Sequence, residues 1–198
     1  ADSSELQQLF KQYGWTGQIK TSDSDYFMVV DANLAALKTD AVINRQIDYQ
    51  LQETDSGLMA KLTINYANNG AFTWKTTRYR SYTRIYVPLG SELKQATGFN
   101  SEQVDVGAFI TIEPGAFASL SFEYKLPEKV QELAKLGQYE LAIQKQPGTR
   151  INNLRVDLNF KKAIELYKPT IFYSYLIGDR RVKWETGLKS DRQFMVNF

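Results

Sequence analysis

The chain has 198 residues, 43% of them hydrophobic and 23% charged, a length that admits one large domain or two small ones and lets roughly 70% of the unfolded surface be buried. Its 24 basic and 22 acidic side chains leave a net charge of +2 and are interspersed, so no run of Lys or Arg makes a nucleic-acid footprint. Cys and His are both absent, which excludes disulfides, thiolate nucleophiles, Ser-His-Asp and Cys-His catalysis, and His- or Cys-ligated zinc. No apolar run approaches the ~20 residues that cross a bilayer, and the start has neither a basic n-region nor an apolar h-region. The expectations are therefore no cofactor, no metal, no nucleic-acid partner and no membrane span within this chain.

In chain order, Ser4 can cap a short helix with Leu6, Leu9, Phe10 and Tyr13 at helical spacing, ended by Gly14. That apolar stripe reads as a packing face. Trp15 to Asp25 is rich in Gly, Thr, Ser and Asp and reads as a loop. Tyr26 to Val30 is a continuous apolar run, the pattern of a buried strand. Asp31 to Asp40 suits a short helix or an irregular crossover.

From Ile43 to Tyr66 two segments alternate apolar and polar residues around Thr54-Asp55-Ser56-Gly57, a turn sequence, and predict an antiparallel hairpin. Only Arg45 breaks the alternation. A third strand, Tyr79 to Val87, stops at Pro88, whose missing N–H cannot continue a ladder. Leu93 to Thr97 reads as a short edge strand. Val104 to Ile112 and Ala118 to Leu126 make a second hairpin across Pro114-Gly115. Pro127 opens a helix that ends before Gly137. Strands follow at Tyr139 to Ile143, Leu154 to Phe160, Ile171 to Ile177, Val182 to Thr186 and Phe194 to Phe198.

About ten short strands with two or three short helices predict a mainly β fold, an antiparallel β-sandwich. Strict alternation argues against parallel strands, which are apolar on both faces. Residues 1–25 are expected to pack as a helix and loop on a sandwich of residues 26–160, with 161–198 adding strands to the same domain.

Several segments carry a family resemblance: Tyr26-Phe27-Met28-Val29-Val30-Asp31-Ala32-Asn33, Lys38-Thr39-Asp40, Tyr79 through Ser91, Pro114-Gly115 with the strand after it, and Ile143 through Thr149. Over roughly Gly14 to Phe160 the chain resembles the C-terminal part of the bacterial domain-of-unknown-function family numbered four thousand and twelve. The resemblance implies an extracytoplasmic module, anchored to the membrane through an upstream region, and brings no catalytic residues. The strand pattern is also similar to Ig-like modules of surface proteins, an analogy of fold.

The third strand supplies the candidate binding site. Tyr79, Thr83, Ile85 and Val87 suit a core, while Arg78, Arg80, Tyr82, Arg84 and Tyr86 share the other face. Arg80, Tyr82, Arg84 and Tyr86 offer planar donors and rings to a cell-envelope glycan or a protein partner. The plainer reading is a solvated face whose arginines pair with neighbouring acids. Lys38-Thr39-Asp40 with Asp31 and Asn33, and Asp23 and Asp25 beyond them, could gather oxygen ligands for a cation, although backbone capping explains them more simply. Ser91-Glu92-Leu93-Lys94 matches a bare Ser-x-x-Lys pattern without its companion motifs. Gln144 to Thr149 reads as a turn, and Trp74 and Trp184 as anchors of core or hairpin. The functional expectation is a non-catalytic module for interaction or spacing in the bacterial envelope. The alternative is a polysaccharide-active enzyme domain using paired carboxylates.

Overall fold

The computed structural model describes residues 3–13, 16–20, 22–35, 37–97, 107–171 and 173–198. In order, the elements are helix α1 (Ser4–Gln12), β1 (Asp25–Asn33), a 3-10 turn (Thr39–Val42), β2 (Ile43–Thr54), β3 (Gly57–Asn68), β4 (Tyr79–Tyr86), β5 (Glu92–Thr97), β6 (Gly107–Ile112) and β7 (Phe117–Lys125). Helix α2 (Glu128–Lys135) follows, then β8 (Gln138–Gln144), β9 (Asn153–Asn159), β10 (Leu166–Lys168), β11 (Tyr173–Ile177), β12 (Arg181–Thr186) and β13 (Arg192–Asn197). Among the described residues no helix is long and apolar enough to cross a membrane.

The strands form two sheets. One runs β10-β13-β8-β1-β4-β6, and the other runs β11-β12-β9-β2-β3-β7-β5. The alternating hairpin lies at the middle of the second sheet, in unbroken register from Ile43 opposite Asn68 to Thr54 opposite Gly57. Gly57 adopts φ +117, a backbone conformation that favours a residue without a side chain at this turn. Leu62 and Phe122 pair across β3 and β7 and are both buried, with Phe27, Tyr49, Leu141 and Trp184 completing the core between the sheets. Such fully buried aromatic and branched side chains supply the main driving force for closing two sheets on each other.

The wholly antiparallel expectation is corrected at two places. β1 pairs parallel with β8, and β2 pairs parallel with β9. Both pairings join strands far apart in sequence, where a crossover is long enough to bring strands together in the same direction. β1 bears the mark of this in its sequence: Tyr26, Phe27, Met28 and Val29 are all buried, because the strand is covered on both faces as parallel strands are.

The second hairpin is a correction as well: β6 pairs with β4 in one sheet and β7 with β3 and β5 in the other, so Pro114-Gly115 turns the chain between sheets. Other expectations shift at element boundaries. Ser3, not Ser4, caps α1, its Oγ accepting from the Leu6 N–H at 3.2 Å. The packing stripe on α1 is a correction too: the helix buries none of its residues. β1 runs on to Asn33, and the following segment holds a 3-10 turn. Gly14, Trp15 and Val104 to Val106 lie outside the described residues. β10 was not anticipated. The last strands enter both sheets, β13 beside β8 and β12 beside β9.

Candidate functional site

Alternation along β4 sorts its side chains into two sets with different chemistry. Tyr79, Ser81, Thr83 and Ile85 are buried against the core, whereas Arg80 and Arg84 are exposed and Tyr82 and Tyr86 half-buried on the outer face of the sheet. The structure brings three of the four predicted residues into contact. The Arg84 guanidinium lies 5.3 Å from the Tyr82 ring centroid and its Nη1 is 3.4 Å from the Tyr86 hydroxyl. Arg80 stands one strand repeat away, beside Thr111 of β6. Arg78 is diverted from the set by Glu113, 3.0 Å away.

Tyr82 is fixed from the other side by Phe109 of β6, with ring centroids 4.6 Å apart. Gly107 makes room for it: a Cβ there would sit 2.5 Å from the Tyr82 hydroxyl oxygen. The result is a patch of two aromatic rings flanked by two exposed guanidiniums, with a planar donor fork and stackable faces side by side. Along a strand, Arg80 and Arg84 stand roughly 13 Å apart.

Beside Tyr86 the face runs into a cavity of about 460 Å³ between Ile19, Lys20, Ser22, Tyr26, Val87 to Leu89 and the start of α2. Part of its wall is a strap, residues 16–20 and 22–24, pinned by one buried amide. Gln144 Oε1 accepts from the Lys20 N–H at 2.9 Å and the Tyr26 hydroxyl at 2.7 Å, while its Nε2 donates to the Gln18 carbonyl at 2.9 Å. Burial lifts the Tyr26 hydroxyl to about 12, so it stays a donor at ordinary pH.

The oxygen cluster expected near Lys38-Thr39-Asp40 is occupied by an arginine. Arg45 Nε is 2.7 Å from Asp31 Oδ2, and Arg45 Nη2 is 2.7 Å from Asp40 Oδ1 and 2.9 Å from the Tyr79 hydroxyl. Tyr66 and Thr83 donate to the second Asp31 oxygen at 2.9 and 2.7 Å. With the carboxylates neutralised by a guanidinium, this is an internal ion network rather than a cation site. Thr39 and Asn33 hold backbone instead, accepting from Thr77 N–H and Ala35 N–H. No group of three or more acidic side chains able to hold a metal occurs among the described residues.

Asp25 lies in the core and accepts from the hydroxyls of Tyr49 and Tyr139 and from the Tyr26 N–H, with no cation against it among the described residues. Desolvation by burial raises its carboxyl to about 6. Asp23, its neighbour in the sequence, pairs with Lys129 at the surface.

Of the remaining motifs, Lys94 pairs with Glu92 rather than Ser91. Gln146 is structural: its side-chain amide bonds the N–H and carbonyl of Asp31, both at 2.9 Å, continuing the parallel ladder past the end of β8. Trp184 is a core anchor, buried and donating to the Pro169 carbonyl at 2.8 Å. Trp74 is a correction, being 81% exposed on its loop with Lys75 Nζ 4.5 Å from its ring centroid. A loop that turns away from the sandwich cannot deliver its side chain to the core.

No protein-family model and no curated protein matches the chain. Among solved structures the chain is similar to Legionella pneumophila aminopeptidase A in complex with aspartic acid, at 7% identity and a TM-score of 0.38. The match covers 84% of this chain and 22% of that one, so the chain spans about a fifth of that protein's length, and a likeness at this level carries no argument about function.

Proposed function

We propose that the chain is a non-catalytic, extracytoplasmic, Ig-like module of a bacterial envelope protein, related to the domain-of-unknown-function family that its segments resemble and anchored through a region upstream. In this reading the outer face of β4 holds an anionic glycan of the envelope. The observation that supports it is the juxtaposition of exposed Arg80 and Arg84 with the rings of Tyr82 and Phe109. Guanidiniums bind carboxylate or phosphate groups of a polymer through paired hydrogen bonds, and the ring faces stack on its sugars.

The two most enclosed carboxylates, Asp25 and Asp31, are bound by tyrosine hydroxyls and by Arg45 in the interior. A glycosidic bond cannot reach them there, which favours binding over carboxylate catalysis at these positions. Binding is tested on a panel of anionic and neutral bacterial glycans with the isolated chain and its Arg80→Ala/Arg84→Ala variant. Saturable, salt-sensitive binding lost in the variant supports the reading. Sustained product formation that one carboxylate substitution abolishes supports a polysaccharide-active enzyme in its place.

A further inference from the structure

The topology gathers an unusual set of loops at one end of the sandwich. β1 and β8 finish there and β2, β4 and β9 begin there, because the parallel pairs point the same way and the antiparallel pairs the opposite way. The loops after β1 and after β3 are joined by the Lys38 N–H, which donates to the Lys75 carbonyl at 2.9 Å. From these two loops Leu34, Leu37, Phe72 and Trp74 project with exposures of 58, 50, 64 and 81%. Scattered exposed apolar residues are ordinary, but these four stand on two loops bonded to each other at one end of the sandwich.

Leu37 adds an independent sign. Its φ is +53, a left-handed conformation that a γ-branched side chain adopts at a cost and that Gly or Asn would take readily. The turn thus holds an apolar side chain in solvent through a backbone geometry that disfavours it, and strained residues of this kind gather at functional sites.

Positive charge accompanies the apolar tips. Lys38, Lys75, Arg150 and Lys189 lie on its loops, and none of them is in an ion pair among the described residues. Two further cations of this end are matched, Arg78 with Glu113 and Lys20 with Asp191; at the opposite end Lys129, Lys161 and Arg180 are matched with Asp23, Asp55 and Asp179, while Lys135 and Lys162 are in no ion pair among the described residues. Apolar and aromatic tips on loops that carry the unmatched Lys38 and Lys75 suit an anionic lipid surface. Leu and Phe enter the acyl boundary, Trp sits at the headgroup level, and Lys and Arg meet lipid phosphates.

We propose that this end of the sandwich, with Leu34, Leu37, Phe72 and Trp74 at its tip, docks peripherally onto an anionic lipid bilayer. This goes beyond glycan binding by β4 and does not depend on it, since the two surfaces use different side chains.

The test is co-sedimentation of the chain with phosphatidylglycerol-containing vesicles and with phosphatidylcholine vesicles. The wild type is expected to bind the anionic vesicles and to leave them as salt rises, each lost cation weakening binding by about fivefold. Leu37→Asn relieves the backbone, so it is expected to keep or raise the melting temperature while weakening vesicle binding about tenfold, as Trp74→Ser does with the fold intact. Leu136→Ser, an 82% exposed position at the opposite end, is the control and should bind like wild type. Failure of the wild type to bind anionic vesicles overturns the proposal. So does binding untouched by Leu37→Asn and Trp74→Ser, or lost equally in Leu136→Ser.

Discussion

Arg45 on β2 and Asp31 on β1 meet across the interface of the two sheets, Nε to Oδ2 at 2.7 Å, with both side chains almost wholly removed from solvent. Two strands of different sheets are thereby locked by charge as well as by packing. Removing one partner leaves the other buried and uncompensated. Arg45→Met is expected to lower unfolding free energy by about 3 to 5 kcal/mol, and Asp31→Asn added to it should restore part of that loss. Urea unfolding of the single and double variants measures the coupling. Additive losses would show that the two residues act independently.

Asp25 makes stability depend on pH with a definite sign. Its folded-state value is raised by burial to about 6, above the ordinary value of an unfolded aspartate. A raised carboxyl binds its proton more tightly when folded, so its contribution is full below the unfolded value and is lost as pH rises through about 6. A rise from the ordinary aspartate value to about 6 corresponds to about 3 kcal/mol. Wild-type stability at Asp25 is expected to fall between about pH 4 and pH 7, and Asp25→Asn, a neutral mimic, should flatten that slope. Urea midpoints of both proteins across this range decide it, and identical slopes would refute the assignment.

Gln144 holds the strap with both ends of one amide. Gln144→Ala is expected to cost about 1 to 3 kcal/mol, since it orphans the Tyr26 hydroxyl and two backbone groups, and to open residues 16–20 to protease while the sheets stay closed. Hydrogen exchange at the Lys20 amide reads this directly. Unchanged protection there would mean that the strap is held by other contacts, such as Lys20 with Asp191 at 2.6 Å.

Much of the architecture is legible in the side-chain periodicity. Where one face is wet, as in β2, β3 and β7, polar and apolar residues alternate and burial follows, because a strand presents successive side chains to opposite sides. The parallel pairs are less visible, since nothing local in β2 or β9 states which strand lies beside it. β1 does carry a trace, its unbroken apolar run.

The polar interior is legible only as an anomaly. Arg45 interrupts an otherwise regular alternation because it is an inward residue whose partners, Asp31 and Asp40, come from other segments. Asp25 gives no such signal, since an acid at the end of a Ser- and Asp-rich stretch looks like a turn residue until Tyr49 and Tyr139 converge on it. On β4, alternation places Arg80, Tyr82, Arg84 and Tyr86 on one side, while the support from Phe109 and the diversion of Arg78 by Glu113 depend on neighbouring strands.

The account rests most heavily on the outer face of β4 as a binding surface without turnover. Binding and product formation measured in parallel on one set of anionic envelope glycans test it most directly. The account predicts saturable binding that weakens with salt, drops about tenfold or more in Arg80→Ala/Arg84→Ala at unchanged stability, and yields no product. Binding indifferent to both arginines, or glycan cleavage sustained by the wild-type chain, would contradict it.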